Sequence, residues 1–318
     1  ASFDKSISIN PDYAEAYYNK GVTLKNINRL NDSVASFQNA IRLNPNYASA
    51  NWNLALCNLL GGNFKDGWEG YEWRWRDPAI AKIIGVRNFN QPLWLGEESI
   101  KGKTIFLHAE QGFGDTIQFS RYVLLVSKLG AKVILEVQRP LLDLLKNLEG
   151  INYIIAKGDP IPIFDYHCPL LSLPLALKTQ LNTIPPQSKI TGPDIEKIAS
   201  WQTRLGDKYK PRVGLVWSGN AKHANDRKRS IAFSELLSHL PPNVDYFCLQ
   251  QEVRDSDKVF LAEHNEIKFF GNELRDFTDT AAMCSLMDLV ISVDTSVAHL
   301  AGSMGKNTWV LLPYNPDW

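Results

Sequence analysis

The 318-residue sequence lacks an excess of either charge: Lys+Arg and Asp+Glu both number 34. A general nucleic-acid binder carries a basic surplus, so that class is excluded and no nucleic-acid partner is expected. No apolar run approaches the roughly 18 residues of a membrane-spanning helix, so no transmembrane segment is expected. The four cysteines, Cys57, Cys168, Cys248 and Cys284, show no CxxC spacing. That excludes a disulfide framework and a cysteine zinc site; they read as buried thiols of a reducing compartment. No signal peptide is expected, and the expected location is cytoplasmic. Asp255-x-Asp257 looks like a metal-binding DxD, but it lies in a polar helical stretch and reads as surface acids, so no metal is expected. The chain starts without Met in mid-repeat and stops soon after an apolar strand, so both ends read as cut. Hydrophobic residues at 44% and charged residues at 21% are ordinary for a globular protein of two or three domains.

What is present begins with a repeat. Residues 2–20 and 36–54 align at a period of 34, with identical pairs that include Phe3/Phe37, Ile7/Ile41, Pro11/Pro45, Tyr13/Tyr47, Ala16/Ala50 and Asn19/Asn53. A 34-residue period with helical spacing is the tetratricopeptide signature. Small residues (Gly21, with Ala55 one repeat on, and Ala40) stand where paired helices must approach, and Phe37 fills the gap between neighbours. Pro45 follows a helix end. One complete repeat is expected, with a partial one on each side. The array ends in Trp68, Trp73 and Trp75, which read as an aromatic seam packing the repeats onto the next domain, with Trp94 joining.

Residues 100–205 alternate short apolar runs with helical patterns. Strands are expected at Lys103–Ala109, Lys132–Val137, Ile151–Ala156 and Tyr166–Leu171, and helices at Thr116–Leu129 and Pro140–Leu148. Such alternation implies a parallel, doubly wound sheet with ligands at the carboxyl ends of the strands. Gln111, Gly112, Gly114 and Asp115 lie at such an end. Gly112-x-Gly114 starts like a dinucleotide fingerprint, with Glu136 where a ribose-binding acid would stand. Against this, Ile117 holds the third glycine position, and Asp115 puts a negative charge where a pyrophosphate would sit. Asp115 reads either as an N-cap with Gln118 three residues on or as a carboxylate left at the cleft by two glycines.

Thr183–Pro193, with three Pro and one Gly, reads as a linker before a helix at Asp194–Leu205. The β-α alternation then resumes. Strands are expected at Arg212–Ser218, Asp245–Gln250, Ile267–Phe270, Leu289–Val293 and Thr308–Leu312, and helices at Thr278–Met287 and Ser296–Met304. Three clusters fall at strand ends. Ser218-Gly219-Asn220 with His223, Asp226, Arg227, Lys228 and Arg229 could hold a phosphate or be a solvated loop. Gln250-Gln251-Glu252 could contact a base or ribose, or merely begin a loop. Asp276 reads as a helix start. Asp294-Thr295-Ser296-x-x-His299 is the most informative. There a strand passes at once into a helix, whose first N–H groups, hydroxyls and imidazole share one face and suit a diphosphate.

The segments GFGDTIQFSRY (112–122), GLVWSGNAKHANDRKRSI (214–231) and VISVDTSVAHLAGSMGK (290–306) resemble bacterial glycosyltransferases that follow tetratricopeptide repeats. They are similar to ADP-heptose heptosyltransferases and, more distantly, to O-linked N-acetylglucosamine transferases. The resemblance implies an α/β fold with an N-terminal all-α segment: repeats over 1–80, then a Rossmann-like acceptor-side domain over 81–193 and a nucleotide-sugar-binding one over 194–318, in a GT-B arrangement. It implies inverting, metal-independent transfer from a nucleotide sugar, which is substrate rather than cofactor. Acceptors would be protein, glycan or lipid-linked hydroxyls, with a peptide partner held through the repeats. By the resemblance Asp115 matches the base and Arg229 a residue near the donor phosphates. Asp294, Thr295, Ser296 and His299 match the diphosphate turn. The stretch between Gly219 and Ser230 departs from the heptosyltransferase pattern, which leaves hexose and heptose both open. Two other readings stand beside this one: a non-catalytic repeat scaffold with a nucleotide-binding module, and an NAD-dependent enzyme using Gly112–Asp115.

Overall fold

The structure is a computed structural model that describes residues 2–186, 195–221, 225–316 and 318. His223 and residues 187–193 of the expected linker lie outside the described residues. Two compact units result: Ala1–Ser99 with Asp165–Pro185 and Tyr314–Trp318, and Ile100–Phe164 with Pro186–Pro313. They cut the chain differently from boundaries at 80 and 193. Both α/β halves share the second unit, while an apolar segment around Leu170 belongs with the helices.

In the first unit, helices run over Ser2–Ile9, Ala14–Asn26, Leu30–Leu43, Ala48–Leu60 and Phe64–Tyr71. A second helix pair, Ala48–Leu60 with Phe64–Tyr71, thus follows the complete repeat. Close approach explains the small residues. A Cβ on Gly21 would stand 2.6 Å from the ring of Phe37, and one on Gly70 would stand 2.9 Å from Cβ of Ala55. Phe37 is fully buried, and Tyr71, one period later, is nearly so. The chain then tightens into a 3-10 turn, Glu72–Trp75.

At that turn Arg74 is completely buried. Its guanidinium lies over the rings of Tyr71 (4.6 Å) and Trp75 (4.5 Å). It donates to Glu72 Oε1 and to Ser172 Oγ, both at 2.7 Å. Trp68 donates its indole N–H to Thr179 O at 3.1 Å, and its ring meets Trp318 edge-on at 5.0 Å. The tryptophan-rich segment is therefore a packing seam, and the piece it packs is residues 165–185. Trp94 is buried too, its indole N–H donating to Glu98 O.

The strands among the described residues are β1 (Thr104–His108), β2 (Lys132–Val137), β3 (Tyr153–Ala156), β4 (Tyr166–Pro169), β5 (Arg212–Val216), β6 (Asp245–Cys248), β7 (Ile267–Phe269), β8 (Leu289–Val293) and β9 (Thr308–Leu311). β4 lies in the first unit, bridged at His167 to Leu93. In the second unit β2 pairs in parallel with both β1 and β3. The larger sheet has the order β7-β6-β5-β8-β9, and every neighbour is parallel. Successive residues from β5 onward alternate sides, with Leu215 and Trp217 in one apolar cluster and Val216 in another, as a strand's period of two demands. Both faces are thus covered, which is the doubly wound class expected. All four cysteines are buried thiols; burial pushes those of Cys248 and Cys284 up to about 12. Among the described residues no helix is long and apolar enough to cross a membrane.

Candidate functional site

In the larger sheet the order turns between β5 and β8, and open α/β sheets bind ligands in the crevice at such a point. The two segments that leave these strands are Trp217–Asn220 and Asp294–Ser296. Arg229 bridges them: its Nη1 donates to Asp294 O at 2.8 Å. Its guanidinium lies against Gly219, where a Cβ would stand 2.5 Å from Nη2. Arg229 stands at the end of a short helix, Asp226–Arg229, in a stretch expected to be a loop. That helix is anchored from below. Asp226 is buried and paired with Arg254, and it accepts from Ser230 Oγ at 2.9 Å. Ser230 Oγ in turn accepts from Gly219 N at 3.1 Å. Asn220 and Arg227 are exposed on the same segment.

Gln250 and Ser218 do not present themselves as expected. Gln250 is buried, and both ends of its amide are used internally. Its Oε1 accepts from Trp217 N (2.7 Å) and Ser218 N (3.2 Å), and its Nε2 donates to Ser218 Oγ at 3.0 Å. An amide so engaged shapes the turn after β5 and is not set to read a base. Asp257 is likewise buried and accepts from the indole of Trp217 at 2.9 Å, so it is a core partner rather than a surface acid. Among the described residues no group of three or more His, Cys, Asp or Glu could hold a metal ion.

After β8, Thr295 is the N-cap of the helix Ser296–Ser303, in extended backbone and with no side-chain cap bond. Its hydroxyl lies 3.1 Å from Ser292 Oγ instead. The first N–H groups of a helix lack intrahelical partners, and here the cap side chain leaves them to the crevice. His299 follows one turn later, its Nε2 3.8 Å from Asp294 Oδ1.

After β1, the helix Phe113–Phe119 starts three residues earlier than expected and breaks at a 3-10 turn, Ser120–Tyr122. Gly112 is therefore the N-cap and Asp115 stands at N3. The carboxylate reaches back, its Oδ2 accepting from Gly112 N at 2.8 Å, so Asp115 is the N3 member of a capping pair and not the N-cap residue expected. This turn meets the other at Gly114. A Cβ there would lie 2.7 Å from Cδ2 and 3.3 Å from Nε2 of His299, and 3.5 Å from Cα of Ser296. Phe113 and Phe277 meet beside it at 5.2 Å. Gln111 contributes its carbonyl, which accepts from Gln138 Nε2 at 2.7 Å. Sequence reasoning missed Gln138; the available signal was a polar residue directly after β2 and before Arg139-Pro140. For a dinucleotide the turn is poorly made, because Ile117 is fully packed and Glu136 is buried within β2.

The site thus brings the turn that carries the Asp115 carboxylate against an imidazole and a helix N-terminus at one close glycine contact, with a guanidinium held on the carbonyl of Asp294. Residues 14–47 match the tetratricopeptide repeat family. The chain is 26% identical to Protein FlbA of Caulobacter vibrioides over 356 aligned residues; these cover 97% of this chain and 56% of that protein, so the chain spans little more than half the length of this relative. Solved structures that share its fold include two glycosyltransferases. One is a family 9 glycosyltransferase from Veillonella parvula, with a TM-score of 0.51 at 10% identity over 68% of this chain and 82% of that one. The other is the iron-containing heptosyltransferase TibC of enterotoxigenic E. coli, crystallised with ADP-D-β-D-heptose. It has a TM-score of 0.50 at 12% identity, over 73% of this chain and 65% of that one. The chain therefore joins a tetratricopeptide repeat to an α/β part that has the fold of the family 9 glycosyltransferases.

Proposed function

We propose that the chain is a glycosyltransferase that moves a sugar from a nucleotide sugar to an acceptor hydroxyl by a single inverting displacement. The observation that supports it most is the meeting at Gly114, which sets the Asp115 turn against His299 and the Ser296 helix. Asp115 takes the acceptor proton as the hydroxyl oxygen bonds to the anomeric carbon. The bond from that carbon to the phosphate oxygen breaks, and its electron pair leaves with the nucleoside diphosphate. The growing charge falls on the helix N-terminus, His299 and Arg229, which are preorganised donors and require no metal. Thr295 and Ser296 border the same anion, and Asp294 anchors Arg229 through its carbonyl. Because TibC binds ADP-D-β-D-heptose, adenosine diphosphate sugars are the first donors to try. Hexose and heptose donors, and protein, glycan or lipid-linked acceptors, all fit the reading. The repeats would hold a peptide, and the protein would work in the cytoplasm.

The test is a thermal-shift panel of UDP-, GDP-, ADP- and CMP-sugars, ADP-D-β-D-heptose included, with NAD as a control, on wild type and His299→Ala. A ligand at 100-fold excess over its dissociation constant adds about 2.7 kcal/mol to stability. The expected result is a shift with one sugar nucleotide that His299→Ala removes. A shift with NAD alone, or one insensitive to His299, would sink the assignment.

A further inference from the structure

We infer that Gln138 is a positioning residue that sets the direction of the Asp115 carboxylate; the inference rests on the reading of Asp115 as the base. Gln138 leaves the carboxyl end of β2 and is fixed there by a turn, since Leu141 N donates to its carbonyl at 2.8 Å. Its side chain crosses to the turn after β1. Nε2 donates to Gln111 O at 2.7 Å, with Gly112 O at 3.5 Å, and Oε1 accepts from the Thr116 hydroxyl at 2.9 Å.

The carbonyl of Gln111 and the N–H of Gly112 belong to one peptide unit, which is planar and rigid. Its oxygen is held by Gln138, and its N–H is held by Asp115 Oδ2 at 2.8 Å. The plane is therefore clamped from both edges, and its tilt decides where the carboxylate points. A glycine on the far side of a peptide lets that plane rotate with little steric resistance. Gly112 supplies this freedom, and Gln138 removes it. The same amide also fastens Thr116, which is buried in the first turn of the helix, so the plane and the helix that carries Asp115 are tied to one side chain.

Two variants of the full chain separate this role from mere packing. Gln138→Met keeps the length and removes both hydrogen bonds. Gln138→Glu keeps the acceptor for Thr116 and loses the donor to Gln111. The first readout is hydrogen–deuterium exchange at the Gly112 amide without any ligand. Exchange about tenfold faster in both variants, at a nearly unchanged melting temperature, is expected for the loss of one hydrogen bond. The second is ADP release from ADP-D-β-D-heptose against the dissociation constant for ADP. Turnover should fall about tenfold to a hundredfold, as misplacement of a reacting group does, with ADP affinity held within about twofold. Unchanged exchange at Gly112 in both variants overturns the clamp. So does wild-type turnover in both. If wild type releases no ADP, or Asp115→Asn releases it as fast, the base reading fails instead, and the exchange rates still decide whether Gln138 holds the turn.

Discussion

The turns after β1 and β8 are the same device used in opposite ways. Each joins the carboxyl end of a parallel strand to a helix through a short turn, residues 109–112 at the first and 294–295 at the second, and each has a cap residue whose side chain makes no cap bond. At the first, the positive end is already occupied, because Asp115 reaches back to the N–H of Gly112. At the second, Thr295 turns its hydroxyl to Ser292 and leaves the N-terminus open. A helix start that carries its own anion repels a second one; an empty one attracts it. On the proposed reading, one fold element serves once as the seat of the proton acceptor and once as the seat of the leaving diphosphate, and a single residue at N3 makes the difference.

That contrast can be broken most severely at Asp115. Asp115→Asn should cost about 10²–10⁴-fold in turnover while nucleotide affinity is retained, read by steady-state rates beside calorimetry. Survival of full activity would remove the base from this turn. At the open end the pattern should invert. Arg229→Ala or His299→Ala is expected to weaken nucleoside diphosphate binding by about tenfold to a hundredfold, the scale of a charge-assisted hydrogen bond. Unchanged affinity in both would move the phosphates elsewhere. The contact between the two turns is tested by Gly114→Ala, which must displace His299; overpacking of this kind costs about 1–3 kcal/mol in denaturant melts. The smallest effects compare caps. Asp276 accepts from Thr278 N and Asp279 N at the start of the helix Phe277–Ser285, so Asp276→Ala should cost about 1 kcal/mol. Thr295→Ala removes no cap bond but loses the hydroxyl contact to Ser292 Oγ, and should cost about 0.5 kcal/mol, the low end for a neutral hydrogen bond. An equal loss at both would mean that Thr295 caps its helix in solution.

The sheets were legible because strands of a parallel sheet are buried on both faces and read as unbroken apolar runs. The expected bounds of Lys132–Val137 and Leu289–Val293 hold without change. The repeat was legible through its period, with Gly21 at a close approach of helices and Phe37 filling a gap; that these two meet each other is seen only in the structure. Short polar helices were not: Asp226–Arg229 looks like a solvated charge run, and only Arg254 and Asp294 reveal what its residues hold. Register was also hidden. Gly112 caps as backbone, so nothing in its residue type announced a helix start three positions before the expected one. Gln250 and Gln138 are one residue type at equivalent strand ends. Both amides turned out to be spent on the turn that leaves the neighbouring strand, which sequence alone cannot separate from an amide waiting for a ligand.

The completely buried Arg74 has a consequence for the order in which the chain can be made. Its hydroxyl partner, Ser172, is 98 residues downstream, and the carbonyl that accepts from Trp68 is 111 residues on. Translation at roughly 5–20 residues per second leaves the end of the repeat array without these partners for about 5–20 s after Arg74 is added. During that interval a guanidinium and a cluster of aromatic rings wait uncovered, and the growing chain must supply their lid before another chain does.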